Sequence, residues 1–229
     1  MVNHINIDES FETRILQAPP MFHFWGGKPQ DGGFSKPHFQ LLDDCILALD
    51  RSAARVAFET GAGLSTLWLL NRGFEVKSFV DSQEVVDLIA SFLLAYPEMK
   101  SRWIPELGYS ETTLPSASLS ENADRPSICL IDGGHGVQPV FVDFVYMNYA
   151  LINRGILLVD DLQLGDPKLL DLILRNDKSF SVFGKAGKLG AYRKNSDNKL
   201  LTGGRSGAQK VIMQNIAEFI ARDSAAMEA

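Results

Sequence analysis

Several carboxylates in this sequence stand where an apolar run stops. Glu59 closes "RVAFE", Asp81 closes "EVKSFVD", Asp132 closes "SICLID", and Asp160 with Asp161 closes "RGILLVDD". An acid at the end of a buried run can accept hydrogen bonds from a sugar diol, hold a cation, move a proton, or cap the helix that follows. After Glu59 the chain turns through Gly61 and Gly63, which lets a ligand approach the backbone closely. His135 follows Asp132 by three residues and changes charge near neutral pH, so it is open to two roles: a general base, or a loop histidine held by the backbone.

The turn "ETGAGLST" admits three ligands. A phosphate-cradling P-loop needs G-x-x-x-x-G-K-[ST], and there is no lysine here. A dinucleotide fingerprint needs G-x-G-x-x-G/A, but the sixth position is Thr66, whose β-branch is expected to obstruct close helix–strand packing. The third ligand is a sulfonium nucleoside, which is cationic and carries no phosphate. It needs exposed backbone and a nearby carboxylate rather than a pyrophosphate seat. Asp81 follows the turn by about twenty residues, the place from which a carboxylate reaches ribose hydroxyls. A ribose diol is common to both cofactors, and Asp81 could equally cap the next helix.

Strands alternating with helices must position these residues. "RVAFE", "EVKSFVD", the weaker "SRWIPELG", "SICLID" and "RGILLVDD" read as strands, with Pro105 suited to an edge. Helical spacing appears from His38 to about Ser52, in "STLWLLNRG", in "SQEVVDLIASFLLAYPEM" stopped near Pro97, in "GVQPVFVDFVYMNYALIN" and in "DPKLLDLILRND". "SFSVFGKAGKLGAYRK" reads as a hairpin, and the stretch through Asn122 and Asp124 as a polar loop. This pattern predicts an α/β fold with a parallel sheet covered on both faces. The sequence divides into an arm over residues 1–36, a main domain over 37–202 and a C-terminal helix within 203–229. The arm looks irregular and is rich in Gly, Pro and aromatics; it is a surface arm or a flap over a pocket, with Phe24, Trp25, His23 and His38 the candidates to line or cover it. The apolar stripe of the last helix must pack on its own domain or on a second copy, giving a homodimer.

With 45% hydrophobic residues the chain can build a full core, and a net charge of -6 argues against a nucleic-acid partner. The apolar runs are too short to cross a bilayer, and no basic start with an apolar stretch opens the chain, so membrane is excluded and the cytoplasm is expected. Cys45 and Cys129 are expected in the core, as are Trp68, Phe79, Phe92 and Phe144.

In combination the motifs resemble class I S-adenosylmethionine-dependent methyltransferases. Within that class they are similar to bacterial natural-product O-methyltransferases of the macrolide and cephamycin pathways. That subgroup carries acid-x-Gly-x-Gly-x-Ser-Thr, an Asp-Gly-x-His loop and an acidic pair after Gly-Gly-(Ile/Val). Here these read "ETGAGLST", "DGGH" and "RGILLVDD", over Val56 to Asp161. Two departures stand out: Tyr109 replaces an acid in "GYSE", and Arg154 replaces a glycine.

The resemblance implies a Rossmann-like, doubly wound seven-stranded sheet, mostly parallel, with an antiparallel C-terminal hairpin strand. It implies that Glu59, Gly61, Gly63, Ser65, Asp81 and Asp132 bind S-adenosylmethionine, with adenine left to Ser110 or to backbone. The acceptor is then a hydroxyl on a small molecule. Asp132, Asp160 and Asp161 would converge on neighbouring strands, where three like charges need a cation or hydrogen-bond donors. Related enzymes hold a divalent ion such as Mg2+ there, and the alternative is that these acids cap helices. Asp132 and His135 are the catalytic candidates. The rivals are an NAD-linked oxidoreductase and a cofactor-binding protein without transfer activity.

Overall fold

A computed structural model describes residues 9–30, 32–119, 125–134 and 137–196. His135, Asn122, Asp124 and the expected C-terminal helix lie outside the described residues, as does the Trp25 side chain.

The strands are β1 (His23–Trp25), β2 (Lys28–Gln30), β3 (Val56–Thr60), β4 (Glu75–Val80), β5 (Trp103–Leu107), β6 (Ile128–Ile131), β7 (Ile156–Val159), β8 (Phe180–Ala186) and β9 (Leu189–Lys194). The helices are α1 (Glu9–Gln17), α2 (Lys36–Leu47), α3 (Leu64–Asn71), α4 (Gln83–Phe92), α5 (Pro97–Lys100), α6 (Ser110–Ser118), α7 (Val137–Ala150) and α8 (Gly165–Asn176). One sheet runs in the order β5-β4-β3-β6-β7-β9-β8. Its first five members are parallel; β9 is antiparallel to β7 and to β8. The expected seven-stranded, mostly parallel sheet with an antiparallel hairpin is the observed fold.

Strand parity builds two cores. Ala57, Val76, Ile128, Leu130, Ile156 and Leu158 face one layer, which includes residues of α1 to α4. Val56, Phe58, Cys129, Ile131, Leu157 and Val159 face the other, with residues of α6 to α8. Successive side chains of a strand point to opposite faces, so runs apolar at every position are buried on both. Cys45 and Cys129 are both buried and free. Trp68 stacks on Phe39 with ring centroids 4.2 Å apart, a packing role as expected.

The structure corrects the sequence reading in several places. The arm is not irregular: α1 buries Phe11 and Ile15, Phe11 meets the edge of Tyr96, and β1 pairs with β2. Arg72 ties α1 to α2 through Glu12 and Asp43 at 2.6 and 2.8 Å. The helix expected to about Ser52 ends at Leu47. Pro97 does not simply stop a helix; after a 3-10 turn over Leu93–Ala95 it opens α5, where its missing N–H costs nothing. Part of the expected polar loop is α6, which buries Leu114 despite Pro115 in its interior. Pro105 does sit on the edge strand. Among the described residues no helix is long and apolar enough to cross a membrane.

Candidate functional site

Three of the strand-end acids, Asp81, Asp132 and Asp161, open onto one cleft of about 830 Å³ at the carboxyl ends of the central strands, the usual ligand position in an open α/β sheet. Clefts of roughly 300–1,000 Å³ bury small-molecule ligands. Gly61, Gly63, Ser65, Asp81, Ser110, Asp132 and Asp161 all line it.

Gly61 forms the floor. Its φ of +79° lies in the left-handed region, and a Cβ there would stand 2.5 Å from the Asp132 carbonyl oxygen. Its N–H donates to Phe79 O at 2.9 Å, so the turn is pinned between β4 and the loop after β6. Only glycine fits that crossing.

Glu59 does not line the cleft. It is 1% exposed and sits behind the turn, where Ser65 Oγ (3.0 Å), Thr66 Oγ1 (2.5 Å) and Ser78 Oγ (2.7 Å) donate to its carboxylate. Burial pushes its pKa up to about 7, against those three hydroxyls, which favour the charged form. Glu59 thereby joins β3, β4 and the first turn of α3. Thr66 corrects another expectation: it is fully buried, and its hydroxyl accepts the Gly63 N–H at 2.8 Å while donating to Glu59. The β-branch is accommodated because the hydroxyl replaces the backbone partners that the helix start lacks.

Asp81 is exposed at the cleft, and the cap of α4 is its neighbour: Ser82 Oγ accepts from Val85 N at 3.4 Å. The capping alternative for Asp81 is thus taken by Ser82. Ser110 starts α6 on the cleft wall and faces Asp143, a wholly buried acid of α7. Burial pushes the Asp143 carboxyl up to about 6, opposed by the Ser110 and Thr60 hydroxyls. Sequence reasoning missed Asp143, and the available signal was a lone acid inside an apolar helix.

On the far side, oxygens of Asp132, Asp160 and Asp161 lie within 4.8 Å of one another. The expected convergence on β6 and β7 is present. Asp161 adopts a φ of +55°, a conformation that Asp tolerates better than most residues. Burial, then the Asp160 charge, raises the Asp132 carboxyl well above the usual carboxylate range. Lys188, from the turn between β8 and β9, enters this group: its Nζ lies 2.8 Å from Asp160 Oδ2 and 2.8 Å from Asp161 Oδ1. Burial pulls the ammonium down, but the two carboxylates outweigh it and hold it above its ordinary range. Lys188 thus engages one oxygen of Asp160 and one of Asp161 at the rim where a divalent ion was expected. Lys188 also escaped the sequence reading, because its pairing depends on β9 lying beside β7.

The arm reaches the cleft. His23, Phe24, Gln30 and Phe34, from the β1–β2 hairpin and its flanks, line it. His38 stands behind the lining: its Nδ1 accepts from Ser35 N at 2.9 Å, and burial lowers its pKa, favouring the neutral ring.

No family model and no curated protein matches the chain. Solved structures do. The O-methyltransferase TomG from Streptomyces achromogenes, involved in tomaymycin synthesis and solved with SAM, matches with a TM-score of 0.60 at 15% identity over 72% of this chain and 83% of its own. An O-methyltransferase from Bacillus cereus, solved with SAH, gives 0.55 at 16% identity over 81% and 87%. An rRNA methylase from Streptococcus thermophilus gives 0.53 at 11% over 71% and 99%. The fold is therefore the Rossmann-like fold of these methyltransferase structures.

Proposed function

We propose that this chain is an S-adenosylmethionine-dependent methyltransferase acting on a hydroxyl of a small molecule. The observation that carries the reading is the charge of the cleft. Asp81, Glu84, Glu111, Asp132 and Asp161 line it, and the one Lys or Arg among the described lining residues, Lys188, is paired with Asp160 and Asp161. Such a wall favours a sulfonium cation with an amino group over the pyrophosphate of a dinucleotide. It also disfavours a phosphate-bearing RNA acceptor, so a small molecule is preferred to the substrate class named for the rRNA methylase.

On this reading the Gly61–Gly63 turn and Ser65 hold the cofactor, Asp81 accepts from the ribose hydroxyls, and Ser110, backed by Asp143, stands beside the base. Asp132 marks the reacting end. S-adenosylmethionine bound in the cleft would supply a methyl group there for transfer from its sulfur to the acceptor oxygen. The hydroxyl proton is assigned to His135. The cofactor agrees with that of TomG, a structure of this fold solved with SAM.

Calorimetry with S-adenosylhomocysteine and, separately, NADH tests the cofactor. Heat with the first alone is expected; heat with NADH alone overturns the reading in favour of an oxidoreductase. Transfer of a labelled methyl group from S-adenosylmethionine to a panel of hydroxylated metabolites then separates an enzyme from a protein that only binds the cofactor.

A further inference from the structure

The strand-end acids on β6 and β7 present three carboxylates in one small volume, and one of them, Asp160, is 1% exposed. Like charges this close need a positive partner. The chain carries that partner itself, since the Lys188 ammonium touches Asp160 and Asp161 at 2.8 Å each. We propose that Lys188 is the resident cation of this rim, standing between Asp160 and Asp161 where a divalent ion would otherwise bind, so that the rim takes no such ion and the ammonium faces the acceptor oxygen.

Three features of the fold support the assignment. An ammonium has three N–H donors; one goes to Asp161 Oδ1, Asp160 Oδ2 lies 2.8 Å away as an ion pair, and Lys188 lines the cleft, which leaves donor capacity for a ligand oxygen. The lysine is held at its backbone, where Leu162 N donates to Lys188 O at 3.0 Å, and the arm passes close to its ammonium at Gly33. That approach is tight, because a Cβ on Gly33 would stand 3.3 Å from Lys188 Nζ, and Gly33 has a φ of +77°. Finally, Asp161 Oδ1 receives Gln163 Nε2 at 2.9 Å in addition to Lys188, so that oxygen already has two donors. A small hard cation requires several oxygens free to converge on it, together with its own waters. Here the convergence is directed at nitrogen.

The claim that Lys188 takes the place of a divalent ion does not rest on the methyltransferase reading, whereas its contact with an acceptor oxygen does, so the rim claim and that reading can fail separately. The test titrates Mn2+ alone into the purified full chain and follows the free ion by electron paramagnetic resonance. Wild type and Lys188→Arg are expected to bind none up to about 1 mM, the weak end of natural oxygen-ligand sites. Lys188→Met, which leaves the carboxylates without their cation, is expected to gain one site at least about tenfold tighter, lost again when Asp160→Asn is added. Stoichiometric Mn2+ binding by wild type that Asp160→Asn removes overturns the proposal. So does a Lys188→Met protein with a wild-type circular dichroism spectrum and no gained site. If Lys188→Met does not fold, Lys188→Gln takes its place in the same comparison, and the wild-type titration alone retains the power to refute. Once an acceptor is found, methyl transfer by wild type is expected to be unchanged by EDTA, and dependence on added Mg2+ would refute the proposal.

Discussion

Glu59 and Asp160 are both buried acids at the ends of central parallel strands, yet they are neutralised by different means. Glu59 is surrounded by hydroxyls from Ser65, Thr66 and Ser78, and burial still raises its pKa to about 7. Asp160 is paired with the ammonium of Lys188. The difference lies in what the neighbouring strand ends contribute. Beside β3 runs β4, whose Ser78 has the same parity as Glu59; beside β7 runs β9, entered from a turn that carries a lysine. Hydroxyls hold an acid in place and leave its charge easily lost, which suits a residue that shapes a turn. An ammonium engages the acid through a direct ion pair, which suits a rim facing a ligand.

The comparison breaks first at Gly61. Replacing it by Ala puts a Cβ 2.5 Å from a backbone oxygen in a left-handed conformation. The conformation alone costs about 1–2 kcal/mol, and the contact forces the loop after β6 to move. We expect Gly61→Ala to lose about 3 kcal/mol in urea unfolding and to show no heat with S-adenosylhomocysteine. Wild-type stability and affinity would mean that the turn is not the floor of the site.

Next in size is the pH dependence set by Glu59. Its folded pKa of about 7 lies above the ordinary 4.5, so between those values the folded chain keeps a proton that the unfolded chain releases. Stability is therefore highest at mildly acidic pH, falls as pH rises through this window and levels off above it. Asp143, raised to about 6, acts in the same direction. Glu59→Gln should remove on the order of 2 kcal/mol of that fall, measured as urea midpoints between pH 5 and 8. An unchanged slope would show that the hydroxyls keep Glu59 ionised throughout.

How much of this was legible in the sequence follows from the same parity. The strands β6 and β7 announced themselves because they are apolar at every position and are followed by an acid, and β3 because the apolar Val56–Phe58 leads into Glu59. That Asp132, Asp160 and Asp161 converge was legible too, since those strands are neighbours in the sheet. That Glu59 turns inward was not, because its direction depends on which face α3 covers. Lys188 was hidden by the order of the sheet: it lies 27 residues from Asp161 and meets it only because β9 inserts beside β7. The arm was unreadable for another reason. In α1 Phe11 and Ile15 are the anchors that reach the core, and every residue of β2 is exposed. Pro115, in the middle of α6, likewise argued against a helix that tertiary packing of Leu114 holds in place.

Asp81 sharpens the comparison from the cleft side. It is exposed, so Asp81→Ala should change folding stability by less than about 0.5 kcal/mol. If it accepts from a ribose diol, affinity for S-adenosylhomocysteine should fall about tenfold or more by calorimetry, the effect of losing charge-assisted hydrogen bonds. Glu59→Gln should do the reverse, changing the pH profile of stability more than affinity. Equal affinity losses in the two variants would erase the distinction between the acid behind the turn and the acid in front of it.

The smallest effect belongs to Ser82, and it separates Asp81 from its neighbour. The Ser82 hydroxyl caps α4 through a long contact of 3.4 Å to Val85 N, at the weak end for such a bond. Ser82→Ala should therefore cost about 0.5 kcal/mol, below the typical loss of a cap, and should lower cofactor affinity less than Asp81→Ala does. The opposite pattern, with Asp81→Ala destabilising the fold and Ser82→Ala leaving it untouched, would make Asp81 the cap. An acid occupied in that way has its oxygens turned to the helix start, and the ribose would need another partner on the cleft wall.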